Sequence, residues 1–215
     1  MKQSEMNQKN NEKREVLTTE MKDTTTKRKT LAILGGPHTT GITAQMLDTA
    51  IAACKDNGDE VTFLPLYQKN IQFCKGCRRC LKTKECIMRN DDMPEITALI
   101  KESNTIILAA PVYWANVPAA VKNLFDRLLG AAMEETATFP KPRLSDKKYM
   151  LLTACNTPMP FAHIFGQSRG AIRSMKEFFK TAGMKCIGVH VVANTSNVKE
   201  VPEKIKRRIT KQLQK

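Results

Sequence analysis

Residues 104–110, NTIILAA, constrain the fold more than any other stretch of the chain. After Asn104 and Thr105 every position is apolar, so neither face of the segment carries a polar residue. A strand with one face in water alternates apolar and polar side chains. An unbroken apolar run of this length instead belongs to a strand covered on both sides, as in a parallel sheet with helices above and below. Four other segments fit the same sheet: residues 30–35 (TLAILG), 60–64 (EVTFL), 147–154 (KKYMLLTA) and 184–192 (MKCIGVHVV).

The intervals between these runs carry helical spacing. Leu47, Ala50, Ile51 and Cys54 mark one face, and Ile96, Leu99 and Ile100 another. Val121, Leu124, Phe125, Leu128 and Leu129 mark a third, and Ile172, Met175, Phe178 and Phe179 a fourth. Asn57-Gly58 ends the first helix, Pro65 stops the second strand, and Asp92 with Glu95 predicts a capping box for the next helix. This alternation predicts an α/β fold: a doubly wound, five-stranded parallel sheet of order 2-1-3-4-5 with helices on both faces. We expect a flexible polar arm over residues 1–29, with transient helix near residues 11–20. The domain follows over 30–195, and a basic helix over 196–215 docks on the core through Val201, Ile205 and Ile209.

In such a sheet ligands bind where the strand order reverses, outside the carboxyl ends of the first and third strands. Two loops meet there. The first, Gly35 to Thr43, is a strand–turn–helix junction that offers backbone N–H groups to a phosphate, with Thr39, Thr40 and Thr43 as hydroxyl donors and His38 as another. It lacks the Walker lysine and the GxGxxG pattern, so alone it is equally a plain connection. The second, Pro111-Val112-Tyr113-Trp114, places two adjacent rings in a loop, where a flat ligand, packing or a subunit contact would each account for them. The loop after the fourth strand, with Thr153, Cys155 and Asn156, closes the far side. His163 lies in that loop, and His190 is read as a packed strand residue.

Cysteine usage adds chemistry. Cys74, Cys77, Cys80 and Cys86 are spaced x2, x2, x5 in one basic segment. The spacing suits an iron–sulfur cluster, a tetrahedral zinc site, or thiols that stay reduced or pair as disulfides. Lys69, Lys75, Arg78, Arg79, Lys82, Lys84 and Arg89 surround it and favour ionised thiols. Cys54, Cys155 and Cys186 read as ordinary buried thiols. Seven cysteines, an odd number with four bunched, fit a reducing cytoplasmic setting better than a disulfide scaffold. No apolar run reaches transmembrane length, and the first residues carry no secretory signal pattern. The net charge of +14 points to acidic partners without choosing among nucleic acid, an anionic membrane and a phosphorylated cofactor. No stretch interleaves basic and aromatic residues as a single-strand nucleic-acid surface would, and a basic nucleic-acid or membrane-surface binding module, the minor alternative, leaves the aromatic loop and the cysteine spacing unexplained.

Taken together these motifs resemble the flavodoxin-like NAD(P)H-dependent FMN reductases, and among them the iron–sulfur flavoproteins, from about Thr30 to Val192. The first turn is similar to GSPRKNGNT, with Gly36 in place of the serine, His38 of the arginine and Ile42 of an asparagine. Pro111–Trp114 with Lys122-Asn123, Phe125-Asp126-Arg127 resembles the segment against the isoalloxazine ring. Cys74, Cys77, Cys80 and Cys86 with Asp91-Asp92-Met93 resemble the iron–sulfur pattern. The resemblance implies an FMN site made from Gly36, Pro37, His38, Thr39, Thr40, Gly41, Thr43, Pro111, Val112, Tyr113, Trp114, Asn116, Thr153, Cys155 and Asn156. Backbone N–H groups near 112–116 would steady negative charge on the reduced ring. It implies a 4Fe–4S cluster on the four cysteines as an electron relay, with no side chain acting as a base. The donor would be NAD(P)H or a ferredoxin-like carrier, the acceptor a small quinone or other aromatic, and the assembly a homodimer or homotetramer. The competing enzyme reading is a cluster-free FMN or quinone reductase with structural or zinc-bound thiols.

Overall fold

The computed structural model describes residues 27–214. The expected arm up to residue 26 and its transient helix lie outside the described residues.

Among the described residues seven strands and eight α-helices follow one another: β1 (Lys29–Leu34), α1 (Ile42–Asp56), β2 (Glu60–Pro65), the four-residue α2 (Cys80–Thr83), α3 (Met93–Glu102), β3 (Thr105–Pro111), α4 (Ala119–Arg127), the short α5 (Leu129–Ala132), β4 (Met133–Glu134), β5 (Lys141–Pro142), β6 (Lys148–Ala154), the short α6 (Phe161–Ile164), α7 (Gln167–Thr181), β7 (Lys185–Val192) and α8 (Glu203–Leu213). Five strands form one parallel sheet in the order β2-β1-β3-β6-β7, and β4 with β5 forms a two-stranded antiparallel ribbon. This is the expected order, with the ribbon inserted in the polar connection. β1 lies between β2 and β3, with Ala32 opposite Phe63 on one side and Ile107 on the other. The order reverses at β1 and β3.

The unbroken run in β3 is explained by two cores. Ile106 and Leu108 point into the layer shared with α3, α4 and α7, while Ile107 and Ala109 point into the layer under α1 and α8. Residues 105–110 are all buried. Each fully buried Ile or Leu here contributes about 1.5–3 kcal/mol. Tyr149 of β6 stacks on Phe179 of α7 at 4.5 Å between ring centroids, and Phe125 of α4 stacks on Phe178 at 4.3 Å. α8 docks through Ile209 and Leu213. Its last carbonyls are open, and Asn57 Nδ2 donates to Leu213 O at 3.2 Å.

The structure departs from the sequence expectations in one boundary, one helix cap and one thiol. Lys29 already belongs to β1, and Arg28 pairs with the buried carboxylate of Asp59 at 2.9 Å, so the arm ends before them. The capping box does not form. Asp91 Oδ1 instead accepts from Met93 N, Asp92 Oδ2 turns back to Asn70 N, and Glu95 pairs with Lys69. Cys54 is buried as expected, and burial together with Asp59 pushes its thiol up to about 11. Cys186 is exposed, because β7 is an edge strand and its first residues lie past the helical cover.

Candidate functional site: a cleft at the sheet reversal and the cysteine loop beside it

β1 runs straight into Gly35-Gly36. A side chain on Gly35 would strike Val121 Cγ2 at 2.5 Å, and one on Gly36 would strike Pro111 at 2.9 Å. The missing side chains let the end of β1 close on β3 and α4, and Gly35 N donates to Ala109 O at 2.7 Å. The turn then leads into α1, whose N-cap is Gly41 with no capping side chain and no acidic residue in the first turn. The first N–H groups of α1 therefore face outward, with the positive end of the helix dipole behind them.

β3 ends in a tight hairpin. Tyr113 N donates to Asn116 O at 2.8 Å and Asn116 N to Tyr113 O at 2.9 Å, leaving Trp114 and Ala115 at the apex. Both apex residues have positive φ, 51° and 58°, the pattern of a type I′ turn, which glycine and asparagine ordinarily fill. Holding two side-chain-bearing residues there costs about 1–3 kcal/mol each. The result is that Trp114 is 101% exposed and Tyr113 41% exposed. α7 supports the hairpin from beneath. A side chain on Gly170 would meet Ala115 O at 2.0 Å, so the apex rests directly on that helix.

Between these loops lies a cleft of about 570 Å³. Of the expected site residues it brings together Thr40, Gly41, Thr43, Pro111, Val112, Tyr113, Trp114, Cys155 and Asn156. Six others fall outside its lining. Gly36 is consumed in packing on Pro111, and Pro37, His38 and Thr39 point to solvent from the outer turn. Asn116 closes the hairpin and lines the neighbouring cavity, and Thr153 is buried beneath the cleft, its hydroxyl donating to Ala110 O at 2.7 Å. His163 sits on exposed α6, lining a groove beyond β7 instead. His190 is buried on β7, its Nε2 2.8 Å from Gln212 Oε1, and burial holds its pKa down. Burial pushes the Cys155 thiol up, which keeps it neutral.

Sequence reasoning missed Gln45, Gln167, Thr195 and Lys199 on the cleft wall. Gln45 Nε2 donates to Thr40 O and Lys199 O, both at 3.2 Å, and so ties the segment before α8 to the phosphate-type turn. That bond spans more than 150 residues of sequence, and no local signal announces it. Lys199 is the one charged residue lining the cleft among the described residues. An open helix terminus, no carboxylate, one lysine and exposed rings fit a phosphorylated ligand with a planar ring system.

The cysteine loop lies on the neighbouring flank, held by α4. Asn123 accepts from Cys74 N at 3.2 Å through Oδ1 and donates to Ile71 O at 3.1 Å. One turn on, Arg127 has no exposed side-chain surface and pairs with the equally buried Asp91 at 2.6 Å. It also donates to Gln72 O at 2.6 Å, Met88 O at 2.9 Å and Cys86 Sγ at 3.2 Å. Burial opposes the charge on Asp91, yet the bonds from Arg127, Gln72 N and Met93 N hold its carboxyl below the usual range. α5 abuts the loop so closely that a side chain on Gly130 would meet Cys80 O at 2.1 Å.

The thiols themselves do not converge. Among the described residues no three Cys, His, Asp or Glu side chains are placed to hold one metal ion. They nonetheless lie within electrostatic reach of one another: burial first, then Cys86, Cys74 and Cys77, push the Cys80 thiol up. Nor does the basic surround act only on thiols, since Lys69 is turned to Glu95 and Arg78 to Glu135.

Comparison with known proteins places this architecture. Iron–sulfur flavoproteins are similar to the chain, one from Archaeoglobus fulgidus at 43% identity over 101 residues, covering 47% of this chain and 46% of that protein. One from Methanosarcina thermophila is 33% identical over 99 residues, covering 46% and 51%. The matches thus span about half the length of these relatives. Among solved structures, Smu.1420 from Streptococcus mutans superposes with a TM-score of 0.66 at 21% identity, covering 86% of this chain and 96% of that one. An FMN-dependent NADH-azoreductase from Bacillus anthracis, solved with FMN, gives 0.62 at 14% identity, covering 87% and 96%. The flavodoxin-like fold family matches residues 28–215, which include every strand and helix described above, and the chain belongs to that family.

Proposed function

We propose that the cleft holds FMN and that the protein is an FMN-dependent oxidoreductase. The observation that carries this is the pairing, at one sheet reversal, of an uncapped helix N-terminus with a hairpin that holds Tyr113 and Trp114 out of the core. The names of the relatives and of the azoreductase support it. FMN would supply the hydride and electron chemistry when bound. The chain's own part is positional. The N–H groups of the Thr40–Thr43 turn and Lys199 hold the phosphate. The hairpin backbone and rings orient the isoalloxazine, and Asn156 and Gln167 bound the side toward α7. A neutral Cys155 and the apolar floor of Pro111 and Val112 limit water. No residue in the cleft is needed as a base. NAD(P)H is the donor class this reading takes first, with a quinone or similar aromatic as acceptor. The active form would be a homodimer or homotetramer. Titrating the apoprotein with FMN and assaying NAD(P)H oxidation tests the proposal: tight binding with turnover supports it, and absence of binding removes it.

A second reading adds a 4Fe–4S cluster on Cys74, Cys77, Cys80 and Cys86. What favours it is that α4 fixes the loop near both ends, at Cys74 and Cys86, while Cys80 feels the other three thiols. It requires the loop to draw together around the metal, since the thiols are not gathered now. The cluster-free reductase needs no such closure and is the better supported of the two. Iron and sulfide analysis after anaerobic purification separates them.

A further inference from the structure

Beyond the cleft, one face of α7 stands out. Arg169, Arg173, Lys176 and Lys180 recur at steps of four, three and four residues, which stacks them along one side of the helix. None of the four joins an ion pair among the described residues; Lys204 and Lys211 of α8 are unpaired too, so what sets the four apart is their alignment along one groove. They line a groove of about 430 Å³ whose floor is Val189 and Val191 of β7, with Glu177 as its one acidic residue. β7 is the last strand of the sheet, so its outer backbone edge is unpaired by any described strand. At the amino end of α7 the groove is lined by an exposed apolar side chain, Met159 at 58%.

We propose that this face docks a protein segment that is acidic on one side and aliphatic on the other. Four aligned cations left without partners repel one another, and an acidic partner relieves that repulsion while steering association. The valine floor and the open strand edge suit an extended segment that adds to β7 and drops alternate side chains into the groove. Nucleic acid is the poorer match, because the one ring lining the groove is the imidazole of His163, with no row of aromatic rings on which successive bases could stack. The proposal does not depend on what the cleft binds. Its place does matter to that reading: Gln167, at the start of α7, lines the cleft, so a docked partner ends beside it.

The test uses the full chain and two fluorescent probes, a peptide of alternating glutamate and valine and an oligodeoxythymidine strand. Arg173→Glu/Lys176→Glu is compared with Lys204→Glu/Lys211→Glu on α8, which shifts net charge equally at another exposed site. The expected result is peptide binding that weakens about tenfold or more in the α7 variant and less than about twofold in the α8 variant, and that weakens with salt. Equal loss in both variants, no peptide binding by the unaltered protein, or tighter capture of the oligonucleotide through the same residues overturns the proposal. Arg169→Gln/Lys180→Gln provides a milder second variant should the reversal fail to fold. Flavin content is measured on the same samples. Peptide binding without flavin counts against the cleft reading alone.

Discussion

Arg127→Met would remove the guanidinium that holds the cysteine loop while keeping most of the side chain's volume. The loss can be worked from the contacts. Asp91 and Arg127 both have zero exposed side-chain area, so the substitution leaves a buried carboxylate without its cation. Breaking a buried pair from one side costs about 3–5 kcal/mol. The carbonyls of Gln72 and Met88 also lose their donors, about 1–3 kcal/mol each if they stay dry. The loop carries exposed residues on its other side, so those carbonyls recover water once it loosens. We therefore expect a net loss of about 3–5 kcal/mol, a large share of a total near 5–15 kcal/mol. Urea denaturation followed by circular dichroism reads the global part. The native-state alkylation rate of Cys86, compared with that of exposed Cys77, reads local opening of the loop. Arg127→Met/Asp91→Asn should regain much of the loss, because no charge is then stranded. Asp91 supplies a pH signature as well. Its folded pKa is depressed, so its contribution is fully present above about pH 4, the ordinary carboxylate range, and is lost as pH falls through the folded value. A loss below about 1 kcal/mol together with unchanged Cys86 alkylation would refute the reasoning.

Three further outcomes follow from the same geometry. Gly170→Ala places a methyl where Ala115 O now sits, so the hairpin must lift; FMN affinity should fall about tenfold with circular dichroism unchanged. Ala115→Gly relieves a positive φ and should raise stability by about 0.5–1 kcal/mol in thermal or urea unfolding, whereas Ala115→Val should lower it. His190 is buried with a lowered pKa, so the unfolded chain takes up its proton first as pH falls through about 6.5. Stability should decline from there toward the folded value, and His190→Asn should flatten that part of a stability-against-pH curve.

What was legible in the sequence follows from what is local. The apolar run in β3, the helical spacing around Leu47 and Val121 and the turn at Gly35 act over a few residues, and they yield the sheet and its order. The aromatic pair at Tyr113–Trp114 was readable because two adjacent rings on a strand end cannot both be buried. The cleft's other wall was not. Gln45 joins Thr40 to Lys199, and nothing in its neighbourhood sets it apart from an ordinary helix-surface polar residue; Asn123 and Arg127 stood out by resemblance as part of the ring-side segment, but they reach loop carbonyls some 50 residues away, a role no local signal gives. In Asp91-Asp92 the roles were exchanged, because the loop at Asn70 competes for the Asp92 carboxylate and leaves Asp91 to serve both Met93 N and Arg127. The cysteine spacing showed four thiols in one loop but not how far apart the loop would hold them.

The most direct test of the central claim is an FMN titration of the apoprotein, followed by flavin fluorescence and by Trp114, the chain's one tryptophan. Bound isoalloxazine beside the hairpin should quench Trp114 at one FMN per chain, with an affinity that Lys199→Glu weakens. Folded protein that takes up no FMN, or binds it with Trp114 emission unaltered, would contradict the account.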